Sequence, residues 1–160
     1  MSENVSSLNG NHVPPISGAA WVKHLRTPGS PDALPRIRQA VVDAAEQCGF
    51  DGEDIVKIEM AVGEACTNVI EHAYSTQSHK LDIEVQIARF ADRLEVAILD
   101  GSSINFAVPE VSTVSDLDDW MATGKRRGLG IFIIQSFVDK VEHKFICGQG
   151  NELKLTKFFA

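Results

Sequence analysis

Three polar residues on one stretch of chain set the first chemical question. Glu64, Asn68 and Glu71 stand at i, i+4 and i+7, which at about 100° per residue lines them along one side of a helix. The opposite stripe is apolar: Ile55, Ile58, Val62, Cys66, Val69 and Ala73 recur at helical spacing and form a candidate core face. Two readings of the polar side are open. It is a solvated face, as polar sides of helices commonly are, or it carries a ligand. Asn is a weak mid-helix residue because its amide competes for backbone hydrogen bonds. Met60, Ala61, Gly63, Ala65 and Thr67 surround the pair with small or apolar groups rather than Lys and Glu. A carboxylate and an amide one turn apart, under so little steric cover, suit a ligand lying over the outer side of the helix. Both are hard oxygen donors of the kind Mg²⁺ takes when phosphates complete its shell.

A second run bears on anions. Gly124-Lys125-Arg126-Arg127-Gly128-Leu129-Gly130 sets three cations among three glycines just before an apolar stretch. Glycine lets backbone N–H groups approach an anion closely, and a helix start adds partial positive charge. Plain turn geometry fits the same run. No GxxxxGK[ST] loop occurs and no GxGxxG follows the first strand, so the phosphate site is neither Walker A nor Rossmann in type. Asp100-Gly101 closes an apolar alternation; Asp there is a turn former or a buried acceptor for an exocyclic amine. Cys48, Cys66 and Cys147 are odd in number and far apart, which disfavours a disulfide framework and a zinc site.

Those residues need elements to hold them. The pattern predicts a short strand within 16–26 and a turn at 27–31. A helix then starts with Ser30 as cap and Pro31 in its first position, and stops at Gly49. A second helix spans about 51–74, with Glu53 and Asp54 in its first turn. Leu81, Ile83, Val85 and Ile87 alternate with polar residues, and Leu94, Val96 and Ile98 repeat the pattern after a turn at Ala91-Asp92, giving two antiparallel strands. Residues 101–127 show no sustained period and read as a loop with a short helix near 115–121, then a helix from Gly128 to about Lys140. Strands at 141–147 and 153–159 follow, joined by Gly148-Gln149-Gly150-Asn151. The expected fold is α+β: a two-layer sandwich, a mostly antiparallel mixed sheet with helices on one face. A loop of about 25 residues is uncommon unless functional, and this one ends at a glycine-flanked helix start, as a lid beside a phosphate site would.

Composition narrows the partners. Of 160 residues 44% are hydrophobic and 23% charged, and 15 Lys and Arg against 22 Asp and Glu leave a formal charge of −7. An acidic chain is repelled by nucleic acid and by anionic bilayers, so a protein or small-molecule partner is expected, with no direct nucleic acid and no membrane. Residues 1–15 are rich in Ser, Asn, Gly and Pro and read as a flexible tail before a domain at 16–160. The chain start lacks a basic and apolar leader, and the longest strongly apolar run surrounds Ile131-Phe132-Ile133-Ile134, far short of the roughly 20 residues a bilayer requires. A cytoplasmic location is expected.

The run from Ile58 to Tyr74, with Gly63-Glu64-Ala65-Cys66-Thr67-Asn68 at its centre, closely resembles the N-box of the bacterial anti-sigma-factor serine/threonine kinases of the RsbW and SpoIIAB type. These belong to the GHKL superfamily of gyrase, heat-shock chaperone, histidine kinase and MutL ATP sites. Gly128-Leu129-Gly130-Ile131-Phe132-Ile133-Ile134 looks like that family's second glycine box, and Leu153-Lys154-Leu155-Thr156-Lys157 like its closing strand. The resemblance implies a Bergerat-type fold that binds ATP and Mg²⁺. By matching position, Asn68 would hold the metal and Glu64 would be the general base toward an acceptor hydroxyl. Asp100, with Gly101, would receive the adenine amine, and Thr156 would sit near the base. The backbone of Gly128, Leu129 and Gly130 would cradle phosphates, with Arg127 or Lys125 as a charge clamp, and His72 would be structural. Ser102 departs from the pattern, standing where the first glycine box usually has its glycine; its Cβ is expected to crowd the adenine unless Gly101 takes over through a shifted turn. The implied partners are an anti-anti-sigma protein of the STAS type, phosphorylated on Ser or Thr, a sigma factor held inactive, and a second copy of the chain in a homodimer. A non-catalytic anti-sigma binding module and a pure ATPase clamp are the alternatives.

Overall fold

Alternation and helical period translate directly into layers. The computed structural model describes residues 16–73, 81–102 and 126–160. In chain order these are β1 (Trp21–Pro28), α1 (Leu34–Gln47), α2 (Gly52–Asn68), β2 (Asp82–Arg89), β3 (Arg93–Asp100), α3 (Arg126–Phe137), β4 (Lys140–Ile146) and β5 (Gly150–Phe158). The expected tail at 1–15, Tyr74, most of the 101–127 loop with its short helix, and Lys125 lie outside the described residues.

The sheet runs β1-β2-β3-β5-β4, and each neighbouring pair is antiparallel. The expected mixture of pairings is therefore absent among the described strands. β4 and β5 form a hairpin whose second strand enters beside β3, so β3 and β4, which run in the same direction, are kept apart by β5. One sheet face carries Ile83, Val85, Ile87, Leu94, Val96, Ile98, Leu153 and Leu155, all buried. This is the face the period of two assigned to the core.

Helices cover that face. Ile37, Val41, Ala44 and Ala45 of α1 and Ile58, Val62 and Cys66 of α2 are buried in the same cluster, joined by Ile134 of α3. Gly49 ends α1 with φ +82°, a conformation a Cβ would resist. Ser30 does occupy a cap position in extended backbone, but it caps a short 3₁₀ turn, Pro31–Ala33, and its side chain makes no capping bond. Asp51 caps α2 directly: its Oδ1 accepts from the Asp54 N–H at 2.8 Å. The helix expected to run to Tyr74 is α-helical only to Asn68 and continues as a π-helical turn, Val69–Ala73. Widened turns of that kind concentrate at functional positions.

Candidate active site

The polar side of α2 is not its solvent side. Asn68 is only 6% exposed, and Ala61, Gly63 and Ala65 beside it are buried. The small residues that looked like an uncovered outer face are small because other elements lie against them: α1 packs on one flank of α2 and α3 on another. The expected outer groove is thus a cleft flanked by α1 and α3, with Asn68 buried and Glu64 half-buried.

Into that cleft α3 brings Gly130. A Cβ at position 130 would stand 2.8 Å from Glu64 Oε2 and 3.8 Å from Asn68 Oδ1. The missing side chain is what leaves room for the carboxylate, and it places the α3 backbone beside both α2 side chains. Among the described residues Asn68 Nδ2 is buried with no hydrogen-bond partner, a condition that costs free energy unless something binds there. A hard amide oxygen, a carboxylate and an amide NH₂ beside the α3 backbone fit a metal–phosphate group. The described part of α3 runs from Arg126 to Phe137, so Gly128, the expected start of this helix, already has helical backbone. Gly130 contributes chiefly through its absent Cβ. The side chains of Arg127 and Leu129 lie outside the described residues.

Arg38 was not singled out by sequence. Its guanidinium lies over α2 so closely that a Cβ at Gly63 would come within 2.7 Å of Nε. The signal was Gly63 itself, because a glycine in a helix interior costs about 1 kcal/mol relative to Ala. Its use here is to admit an arginine from α1. Burial pushes the Cys66 thiol up to about 12, with Arg38 opposing the shift.

At the other end of the sheet, Asp100 is 5% exposed. Its Oδ1 accepts from the Ser102 N–H at 2.9 Å and from Asn151 Nδ2 at 3.1 Å. Asn151 Oδ1 lies 2.9 Å from His143 Nε2. Ser102 is itself buried and joins the turn through its N–H, so a serine is accommodated where a glycine was expected. Position 150 cannot be anything larger than glycine, because φ is +112° and a Cβ there would overlap the Asp100 carbonyl.

The structure does not bring Thr156 to Asp100. Thr156 faces Glu95 on β3, whereas Asp100 faces Asn151; five residues of strand separate them, about 17 Å. One adenine cannot touch both, and the residue beside Asp100 is Asn151. Sequence could not find it, since register between strands 50 residues apart is set by tertiary pairing. A cavity of about 350 Å³ bounded by Arg26, Glu84, Leu99, Lys144 and Glu152 also reaches Asp100 and Gly101, but neither Glu64 nor Asn68 lines it.

A histidine kinase-like ATPase domain family matches residues 27–157. The chain is 30% identical over 139 residues to a serine-protein kinase RsbW of Bacillus velezensis, covering 84% of this chain and 83% of the relative. It is 32% identical over 136 residues to that of Halalkalibacterium halodurans, covering 84% and 81%, and 30% identical over 122 residues to that of Bacillus subtilis, covering 73% and 74%. In fold it is similar to a crystal structure of the RsbU and RsbW domains of a Mycobacterium tuberculosis protein, with TM-score 0.60 and 19% identity. That match covers 87% of this chain and 32% of the longer one.

Proposed function

The chain belongs to the histidine kinase-like ATPase domain family, among the RsbW serine-protein kinases, and from that premise we propose that it is an anti-sigma factor that phosphorylates an anti-anti-sigma partner with Mg²⁺-ATP. The acceptor is a Ser or Thr hydroxyl on a STAS-type protein, and the unphosphorylated partner competes with a sigma factor for the same kinase. The observation that carries the reading is the convergence of Glu64 and Asn68 on Gly130.

Phosphoryl transfer needs alignment and charge neutralisation more than covalent help. Asn68 Oδ1 is the side-chain ligand this chain offers to Mg²⁺, which when bound would neutralise phosphate charge. The backbone of Gly128 is the candidate N–H donor to the phosphates, and Arg127 is the candidate charge clamp. Glu64 is placed to accept the proton of the acceptor hydroxyl, held beside the phosphates because position 130 has no side chain. Asp100 accepts the adenine amine at the far end of the site. A homodimer is part of the proposal. Among the described residues no helix is long and apolar enough to cross a membrane.

Radiolabelled ATP and a purified partner test the reading. The unaltered protein is expected to transfer label to the partner. Glu64→Ala should lose transfer by 10²- to 10⁴-fold, the usual contribution of a positioned base, while still binding ATP. Full transfer by that variant contradicts the base assignment, and tight partner binding without transfer by the unaltered protein would make it a sequestering module.

A further inference from the structure

Asp100 does not stand alone, and its surroundings fix every proton in a three-residue chain. A carboxylate can only accept, so the Asn151 group at 3.1 Å from Asp100 Oδ1 must be the amide NH₂. Asn151 Oδ1 then faces His143, and Nε2 at 2.9 Å must be the protonated ring nitrogen. Both hydrogen bonds that the carboxylate accepts from described residues, this one and the Ser102 N–H, fall on the same oxygen, Oδ1. Oδ2 accepts none from them. Asp100 and Asn151 are 5% and 4% exposed, so water competes little for these bonds, and Gly150 holds the β5 backbone against the Asp100 carbonyl. The result is a carboxylate whose rotation is blocked, with one oxygen occupied and the other kept as an acceptor.

We infer that Asn151 and His143 are positioning residues that aim Asp100 Oδ2 at the exocyclic amine of the purine and thereby set selectivity for adenine. The inference rests on the ATP reading above and goes beyond it in naming what holds the base acceptor in place. The role assigned to both residues is exerted through Asp100. Asn151 passes the orientation of His143 to Asp100: a donor at position 143 favours the amide turned with its oxygen toward the ring and its NH₂ toward the carboxylate. His143 sits on β4, one strand beyond β5, opposite Leu153, so the edge strand acts on the base site through this side-chain chain.

The test compares Mg²⁺-ATP with the purine riboside triphosphate that lacks the 6-amino group, by calorimetry on the full chain. The unaltered protein is expected to favour ATP. His143→Ala and Asn151→Ala should each weaken ATP by about threefold to tenfold, the worth of one neutral hydrogen bond, and leave the analogue almost unaffected. His143→Gln, which keeps an N–H donor, should recover most of the preference for ATP. Equal weakening of both nucleotides by His143→Ala, with no rescue by Gln, would reduce the chain to a structural role and overturn the inference. An unaltered protein that binds both nucleotides equally would instead refute the amine contact at Asp100, and one that binds neither would refute the ATP reading; either result removes the inference with it.

Discussion

At the scale of single residues, chemistry and stability pull in different directions at position 130. A glycine inside a helix is about 1 kcal/mol worse than alanine, yet a Cβ at 130 would press on the Glu64 carboxylate at 2.8 Å. The carboxylate is the far end of a flexible side chain and can move away at small cost to folding. Gly130→Ala is therefore expected to keep or slightly raise the melting temperature while lowering kcat for phosphotransfer about a hundredfold, the scale of a misplaced catalytic group. Parallel melting and single-turnover measurements check both halves. A proportional loss of stability and activity would show that the glycine serves packing alone. The types and spacing of Glu64 and Asn68 were legible because a helix repeats every 3.6 residues and turns sequence distance into a face. Which way that face looked was not legible. Ala61, Gly63 and Ala65 are as consistent with a bare surface as with a buried one until α1 and α3 are in place.

Among the elements, the strands followed from alternation and the helices from their apolar stripes, with ends shifted where local geometry intervened. The second helix changes to a wider turn immediately after Asn68. Register escaped the sequence altogether. Nothing in 150–158 says which of its residues meets Asp100, and the choice of Asn151 over Thr156 is made by the β3–β5 pairing. Gly150 is the residue on which that pairing depends. With φ at +112° and the Asp100 carbonyl in the way, alanine there must displace backbone rather than a side chain. Gly150→Ala should cost more than about 2 kcal/mol, as strained substitutions at special backbone positions do. The urea midpoint should fall with an unchanged slope; a loss below about 0.5 kcal/mol would mean that the hairpin can shift without harm.

For the molecule as a whole, the thiol of Cys66 links folding to alkaline pH. In the folded chain burial holds its pKa at about 12, against 9.0 for a free thiol. The unfolded chain therefore releases this proton first. The group has no effect on stability below pH 9, and as pH rises from 9 toward 12 the folded state loses ground. About 1.4 kcal/mol should be lost by pH 10 from this group, at 1.36 kcal/mol per pH unit. Unfolding by urea at pH 8, 9 and 10 measures the slope, and Cys66→Ala should flatten it; an equal slope in the variant would place the alkaline sensitivity elsewhere. What the sequence determined by itself was what local periodicity can encode: the α+β class, the core stripes, the Glu64–Asn68 spacing and the glycines at 128 and 130. Only the tertiary structure decided that Gly130 meets Glu64, that Asn151 and His143 stand behind Asp100, and that Arg38 lies on Gly63. The physical reason is range. A dihedral preference or hydrophobic period acts over a few residues, whereas these contacts join segments 25 to 66 positions apart in sequence and exist only after helices and strands have chosen their neighbours by packing.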